Sequence, residues 1–195
     1  DPNSWSEDGT TGLGGWSPSR DGRYVAYAIK EHNSDETVTR IRDVALGTDL
    51  PDVIPGTKYA SPSWTPDSSG FYYTQVPPIG EGVTIAERPG FARVKFHRLG
   101  TEPGTDVVVH EATGNPKTFI HGAVSRDGRW LVVTVQHGWN ASDVFVRDLT
   151  MPEGAWQTLV AGVDALFEVG VWNGSFYIHT NDGAPRYWVF RTEAT

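Results

Sequence analysis

Two observations predict an all-β fold arranged as a β-propeller. A unit of turn plus aromatic strand recurs four times, and its copies lie roughly 50 residues apart, near the ~40–50 residues of a four-stranded blade. The clearest copy runs from Phe119 to Leu149. Its first part, Phe119–Ser125, is a short and mostly apolar strand. It leads into Arg126-Asp127-Gly128-Arg129, a hairpin signal because Asp-Gly supplies the positive φ of a tight turn. Trp130–Val135 is aromatic and β-branched almost throughout, too dense for one solvated face and too short for a typical helix, so it reads as a strand covered on both faces. Asp143–Leu149 gives a third strand, and Trp156–Val160 gives a fourth beyond a turn at Met151–Gly154. Together they make one four-stranded meander.

The other copies follow in order. Blade one is expected to use Leu13–Ser19, Tyr24–Lys30, Thr37–Ala45 and a weak outer strand Asp52–Pro55, whose proline an edge tolerates. Blade two uses Pro62–Thr65, Phe71–Val76, Arg93–Leu99 and Asp106–His110, with a Pro/Gly-rich insertion at Pro77–Gly90. Blade four offers Phe167–Val171, Phe176–Thr180 and Tyr187–Arg191, with no fourth strand. The turn glycines are assigned as Gly22, Gly70, Gly128 and Gly174, and the blades as roughly 9–56, 57–112, 116–161 and 164–195. A propeller is stable when its ring closes and leaves only short protected edges. Three and three quarter blades therefore look cut from a larger ring. A free-standing four-bladed ring clasped by the first residues is the alternative, although Asp1–Asp8 hardly reads as a strand.

Composition narrows the function classes. Eight Trp and 38% hydrophobic residues exclude wholesale disorder. A net charge of −8 without a Lys/Arg cluster argues against nucleic-acid binding. No run approaches the ~18 apolar residues of a membrane span, and the first residues resemble no signal peptide. There is no cysteine, so no disulfide and no thiolate metal site. Gly9–Gly15 fits neither phosphate-loop spacing, the six His lack metal-ligand spacing, and no Gly-x-Ser-x-Gly elbow exists. No catalytic residue, metal or cofactor is expected within the chain. Asn140-Ala141-Ser142 and Asn173-Gly174-Ser175 match the glycosylation triplet but read more readily as turns.

Topology gives a better handle. In a meander, the approach to the inner strand and the loop between the second and third strands lie at one end, and the Asp-Gly turns at the other. The turn end carries Arg20, Asp21, Arg23, Asp67, Arg126, Asp127 and Arg129, read as an ordinary solvated set. The opposite end gathers Tyr59, Phe119 and Trp139, with Phe167 similarly placed. Aromatics gathered on one face mark a binding surface, unless they wedge neighbouring blades apart as core.

The chain also resembles the propeller domain of the prolyl oligopeptidase family. The residues that carry the resemblance include Asp1-Pro2-Asn3, Lys58-Tyr59-Ala60, Trp64-Thr65-Pro66-Asp67, Glu87-Arg88-Pro89-Gly90-Phe91, Leu99-Gly100-Thr101-Glu102 and Gly183-Ala184-Pro185-Arg186. The resemblance implies a seven-bladed ring seated over an α/β-hydrolase domain that holds a Ser-Asp-His triad and cleaves short peptides after proline. It implies that Tyr59, Phe119 and Trp139 receive the substrate side chain two residues before the proline. A family arginine that contacts the peptide backbone falls here at Gln136, beside His137. The expected partners are short proline-containing peptides and the parent's hydrolase domain, with no nucleic acid and no membrane. The expected state is a monomer in the cytoplasm, or alternatively the periplasm. A non-catalytic propeller serving as an interaction platform is the competing function.

Overall fold

A computed structural model of the chain describes residues 1–80, 82–151 and 154–194. Glu81 of the expected insertion, Pro152 and Glu153 of the expected third-blade turn, and Thr195 lie outside the described residues. Fifteen strands form four antiparallel meanders in which sequential strands are neighbours. Blade one is β1 (Gly12–Pro18), β2 (Tyr24–Lys30), β3 (Thr37–Asp43) and β4 (Thr48–Pro55). Blade two is β5 (Ser63–Trp64), β6 (Gly70–Gln75), β7 (Arg93–Arg98) and β8 (Val107–His110). Blade three is β9 (Thr118–Val124), β10 (Trp130–His137), β11 (Ala141–Asp148) and β12 (Gln157–Val160). Blade four is β13 (Phe167–Trp172), β14 (Ser175–Thr180) and β15 (Trp188–Glu193). The only helical pieces among the described residues are three 3₁₀ turns of three or four residues. This is a partial β-propeller, as the repeat predicts. The N-terminal clasp is not formed: Pro2–Ser4 is a 3₁₀ turn capped by the Asp1 carboxylate, and blade four has three strands. The outer strand β4 is longer than expected because Thr48 and Asp49 pair back across Gly47 onto Asp43 and Arg42.

The blades pack face to face. Trp130, Leu131, Val132, Val133 and Val135 of β10 are all buried because alternate side chains enter different interfaces. Leu131, Val133 and Val135 join Tyr72, Val76 and Val94 of blade two, while Trp130 and Val132 join Val144, Val146 and Phe176 on the side of blade four. Each such burial stabilises the fold by about 1.5–3 kcal/mol. On β9, Gly122 faces Val94 so closely that a Cβ would lie 2.6 Å from Val94 Cγ1, so only glycine lets blades two and three meet there.

Polar ties reinforce these interfaces. Arg20, expected to be merely solvated, donates from Nε to the Trp64 carbonyl (3.1 Å) and from Nη2 to the carbonyls of Val124 (3.3 Å) and Ser125 (3.2 Å). It ties three blades because inner strands converge at the turn end, where their last carbonyls lack a sheet partner. Between blades one and two, His97 is fully buried with Nε2 2.9 Å from Asp52 Oδ1 and Nδ1 2.9 Å from Asp106 Oδ1. The Tyr73 hydroxyl donates to Asp106 Oδ2 at 2.7 Å. Burial opposes the charged ring, but hydrogen bonds to Asp106 and Asp52 outweigh it and hold His97 above the usual imidazole range.

The turns repeat one device. The Ser125 N–H donates to the Trp130 carbonyl, the Ser125 hydroxyl donates to Asp127 Oδ1, and Asp127 accepts from the Arg129 N–H. Those bonds, the Ser125 hydroxyl foremost, hold Asp127 below the usual carboxylate range. Ser19 and Asp21 repeat the pattern in blade one, and Thr65 and Asp67 in blade two. Gly22, Gly128 and Gly174 take positive φ, whereas Gly70 does not. Ser68 (φ 57°) is the left-handed residue of that turn, and Gly70 already belongs to β6. Gly70 is needed for a different reason: a Cβ there would overlap the His97 carbonyl oxygen and lie 2.8 Å from Phe96 Cζ.

Two outcomes test these assignments. Gly70→Ala lowers stability by about 1–3 kcal/mol, since a strand backbone must shift, while Ser68→Gly leaves the unfolding free energy within about 0.5 kcal/mol because glycine suits positive φ. Equal effects would contradict the reassignment. For His97, a folded pKa above the unfolded value adds stability that is fully present below about pH 6.5 and is lost as pH rises through the folded value. The stability difference between the native protein and His97→Gln is therefore largest in acid and narrows with rising pH. Urea midpoints that differ equally from about pH 5 to 9 would mean an imidazole pKa unchanged by folding, and a difference that grows with rising pH would mean a ring held neutral.

Candidate functional site

Tyr59 lies in the link from blade one to blade two. A turn closed by the Ala60 N–H on the Thr57 carbonyl (2.9 Å) holds it there, and Thr57 is itself tied to Thr37 of β3. The Lys58 ammonium sits 5.7 Å from the centre of the Tyr59 ring and 3.6 Å from Asp35. Phe119 is the second residue of β9. The two rings meet edge to face with centroids 5.4 Å apart, a favoured aromatic geometry. Both rings are partly open, Tyr59 at 37% and Phe119 at 40%. They are not interblade core.

Trp139 stands in the short turn between β10 and β11 at 86% exposure. Two anchors fix that turn: the Gly138 N–H donates to the Lys117 carbonyl beside the start of β9, and His137 Nε2 lies 2.8 Å from Asp143 Oδ2. Trp139 thus shares the blade end with Tyr59 and Phe119 but makes no ring contact with either among the described residues. Phe167 differs from all three, for it packs with the blade three and four core, where the wedge reading holds.

Gln136 is the cross-strand partner of Phe119, so both side chains leave the same face of the sheet. It is half-buried and lines a cleft of about 340 Å³ with Thr134, Ser142, Phe167, His179 and Tyr187. His179 stacks on Tyr187 at 4.7 Å, and Tyr187 takes φ 61°. Nothing in their sequence spacing signals that stack. His137, Gln136's neighbour, is already engaged by Asp143 and supplies no free cation.

Arg88 organises the insertion above blade two. Its guanidinium grips both Glu36 oxygens at 2.7 Å and donates to the Pro77 carbonyl at 2.8 Å. Arg88 is the main reason Glu36 stays below the usual carboxylate range. This pair crosses from the β2–β3 loop to the insertion and ties the two together. The His/Asp/Tyr array around His97 is buried between blades, with the His97, Asp52 and Asp106 side chains all but closed to solvent. No group of three or more His, Asp or Glu suited to a metal occurs among the described residues. The arrangement can hold apolar and polar groups of a ligand.

Comparison with known proteins places these features in a family. The family model described as the prolyl oligopeptidase N-terminal beta-propeller domain matches residues 1–195. A prolyl endopeptidase of Elizabethkingia meningoseptica is 30% identical over 193 residues, covering 98% of this chain and 27% of its own length. Prolyl oligopeptidase A of Amanita bisporigera is 30% identical over 212 residues, covering 96% of this chain and 28% of its own. Among solved structures, one from a study of two prolyl endopeptidases and the role of inter-domain dynamics superposes with TM-score 0.94 at 46% identity, over 99% of this chain and 28% of that one. Prolyl oligopeptidase B from Galerina marginata, bound to a 25mer macrocyclization substrate, superposes with TM-score 0.86 at 25% identity, over 99% of this chain and 29% of that one. The chain spans a little over a quarter of the length of these relatives. With every residue inside the matched region and the four meanders superposing on these solved relatives, the chain belongs to the prolyl oligopeptidase N-terminal β-propeller family.

Proposed function

We propose that this chain is the substrate-contacting part of a serine peptidase that cleaves short peptides after proline. In this reading Tyr59, Phe119 and Trp139 receive the side chain two residues before the proline, and Gln136 contacts the peptide beside them. The single observation that carries the reading is the open edge-to-face pair of Tyr59 and Phe119 at the blade end that also bears Trp139. The nucleophile, its His and its Asp belong to a hydrolase domain outside this chain, and the propeller gates access to them. Gln136 replaces a guanidinium with a neutral amide, so it can hydrogen-bond a peptide carbonyl but lends no charge to it. Apolar side chains left open on the two outer faces, Leu13 and Trp16 on blade one and Trp172 and Val189 on blade four, support further blades on either side in a larger ring.

Two measurements test this. In the full-length parent, Trp139→Ala removes a large contact surface and lowers kcat/KM by about 1–3 kcal/mol for peptides bulky two residues before proline, less for peptides with glycine there. Stability stays within about 0.5 kcal/mol, as for other exposed positions. An equal loss for both peptides would overturn the subsite. Expressed alone, the chain leaves a proline-containing chromogenic peptide intact, because covalent catalysis needs nucleophile and base together. Turnover by the pure chain would refute that division of labour.

A further inference from the structure

Blades one and two share a filled core at mid-height, but small side chains open a gap at the end that carries Tyr59. Gly14, Ala26 and Ala28 line it, and Gly14-Gly15 form a bulge: Leu13 pairs with Ile29 and Trp16 with Tyr27, so two residues oppose Ala28 alone. The resulting cleft holds about 320 Å³ and is closed on one side by the link that contains Lys58, Ala60, Ser61 and Pro62. Both of its walls belong to blades of this chain.

The polar lining is hydroxyl and ammonium, without a carboxylate among the described residues. Thr39 Oγ1 donates to Thr57 Oγ1 (3.0 Å), and Thr57 Oγ1 donates to the Thr37 carbonyl (3.0 Å). Thr57's proton is thereby committed, and the buried Thr37 hydroxyl, 3.1 Å from Thr57 Oγ1, is the one with a choice of acceptor. Lys58 is shared with Asp35 at 3.6 Å. Lys30 lines the cleft and forms no ion pair among the described residues. Two lysines thus line one cleft of a chain whose net charge is −8.

We infer that this cleft is a carboxylate subsite for peptides, taking an acidic side chain against Lys30 and Lys58. The inference rests on the reading of Tyr59 and Phe119 as the seat of the residue two before proline. Lys58 adjoins Tyr59, so the carboxylate belongs to a residue adjacent to the seated one. Residues on its C-terminal side lead to the proline, so the acidic residue is the one immediately N-terminal.

The experiment uses the full-length parent and peptide pairs that carry Glu or Gln at that N-terminal position. The expected result is a kcat/KM ratio of about 5–10 in favour of Glu at low ionic strength, shrinking in about 1 M salt. Lys30→Met brings the ratio close to one, and Lys30→Arg retains most of it; matched unfolding midpoints confirm that the variants fold. A ratio of one in the native enzyme, or a preference that survives Lys30→Met, overturns the subsite. So does a preference that follows a free C-terminal carboxylate rather than Glu, or acetate that competes equally against both peptides. Calorimetric binding of N-acetylglutamyl peptide amides, with and without Lys30→Met, needs no turnover. Lys30-dependent binding in a protein that fails to cleave after proline would sink the peptidase reading and leave the carboxylate cleft standing. Proline cleavage with no Lys30-dependent binding would do the reverse.

Discussion

A four-stranded blade has two apolar faces and cannot bury either by itself, so blades two and three each depend on a neighbour pressed against both sides, and blades one and four on a neighbour against one. The second strand of blade three shows the consequence most fully, since its successive side chains serve alternate interfaces and almost none meets water. Stacking sheets this way brings the inner strands together and throws the loops to two ends. The polar ties then fall where stacking leaves backbone or charge unanswered. Arg20 collects three carbonyls at the turn end, and His97 bridges two carboxylates within the seam between blades one and two.

Strands and their order were legible because each combines a β-branched or aromatic run with a turn signal, and local pattern suffices for both. Blade two shows where local pattern misleads. Asp67-Ser68-Ser69-Gly70 contains a glycine in reach of the turn, yet the left-handed position falls on Ser68, and Gly70 is reserved for a close approach by another strand. Arg20 read as solvent-facing because its partners are carbonyl oxygens, which leave no trace in side-chain spacing. Asp52, His97 and Asp106 meet across a blade boundary, and no periodicity links such positions.

The aromatic end was legible through topology alone: a link and the start of an inner strand must share one end of a meander, and Tyr59 and Phe119 do meet there. What topology left open was ring contact. Trp139 stands apart on a turn pinned by Gly138 and His137, Phe167 turns into the core, and the His179–Tyr187 stack joins β14 to a left-handed residue just ahead of β15, a backbone state the sequence does not announce.

Tyr59 belongs to the approach to blade two, whereas Phe119 opens blade three. The aperture between the two rings is consequently a gauge of how far those sheets stand apart, and that separation is fixed in mid-sheet where Gly122 meets Val94. A position without a side chain, three residues along β9 from Phe119, acts as the shim that calibrates the aromatic pair. Thickening it by one methyl group would prise the sheets apart and widen the aperture without altering a single residue that a ligand could touch.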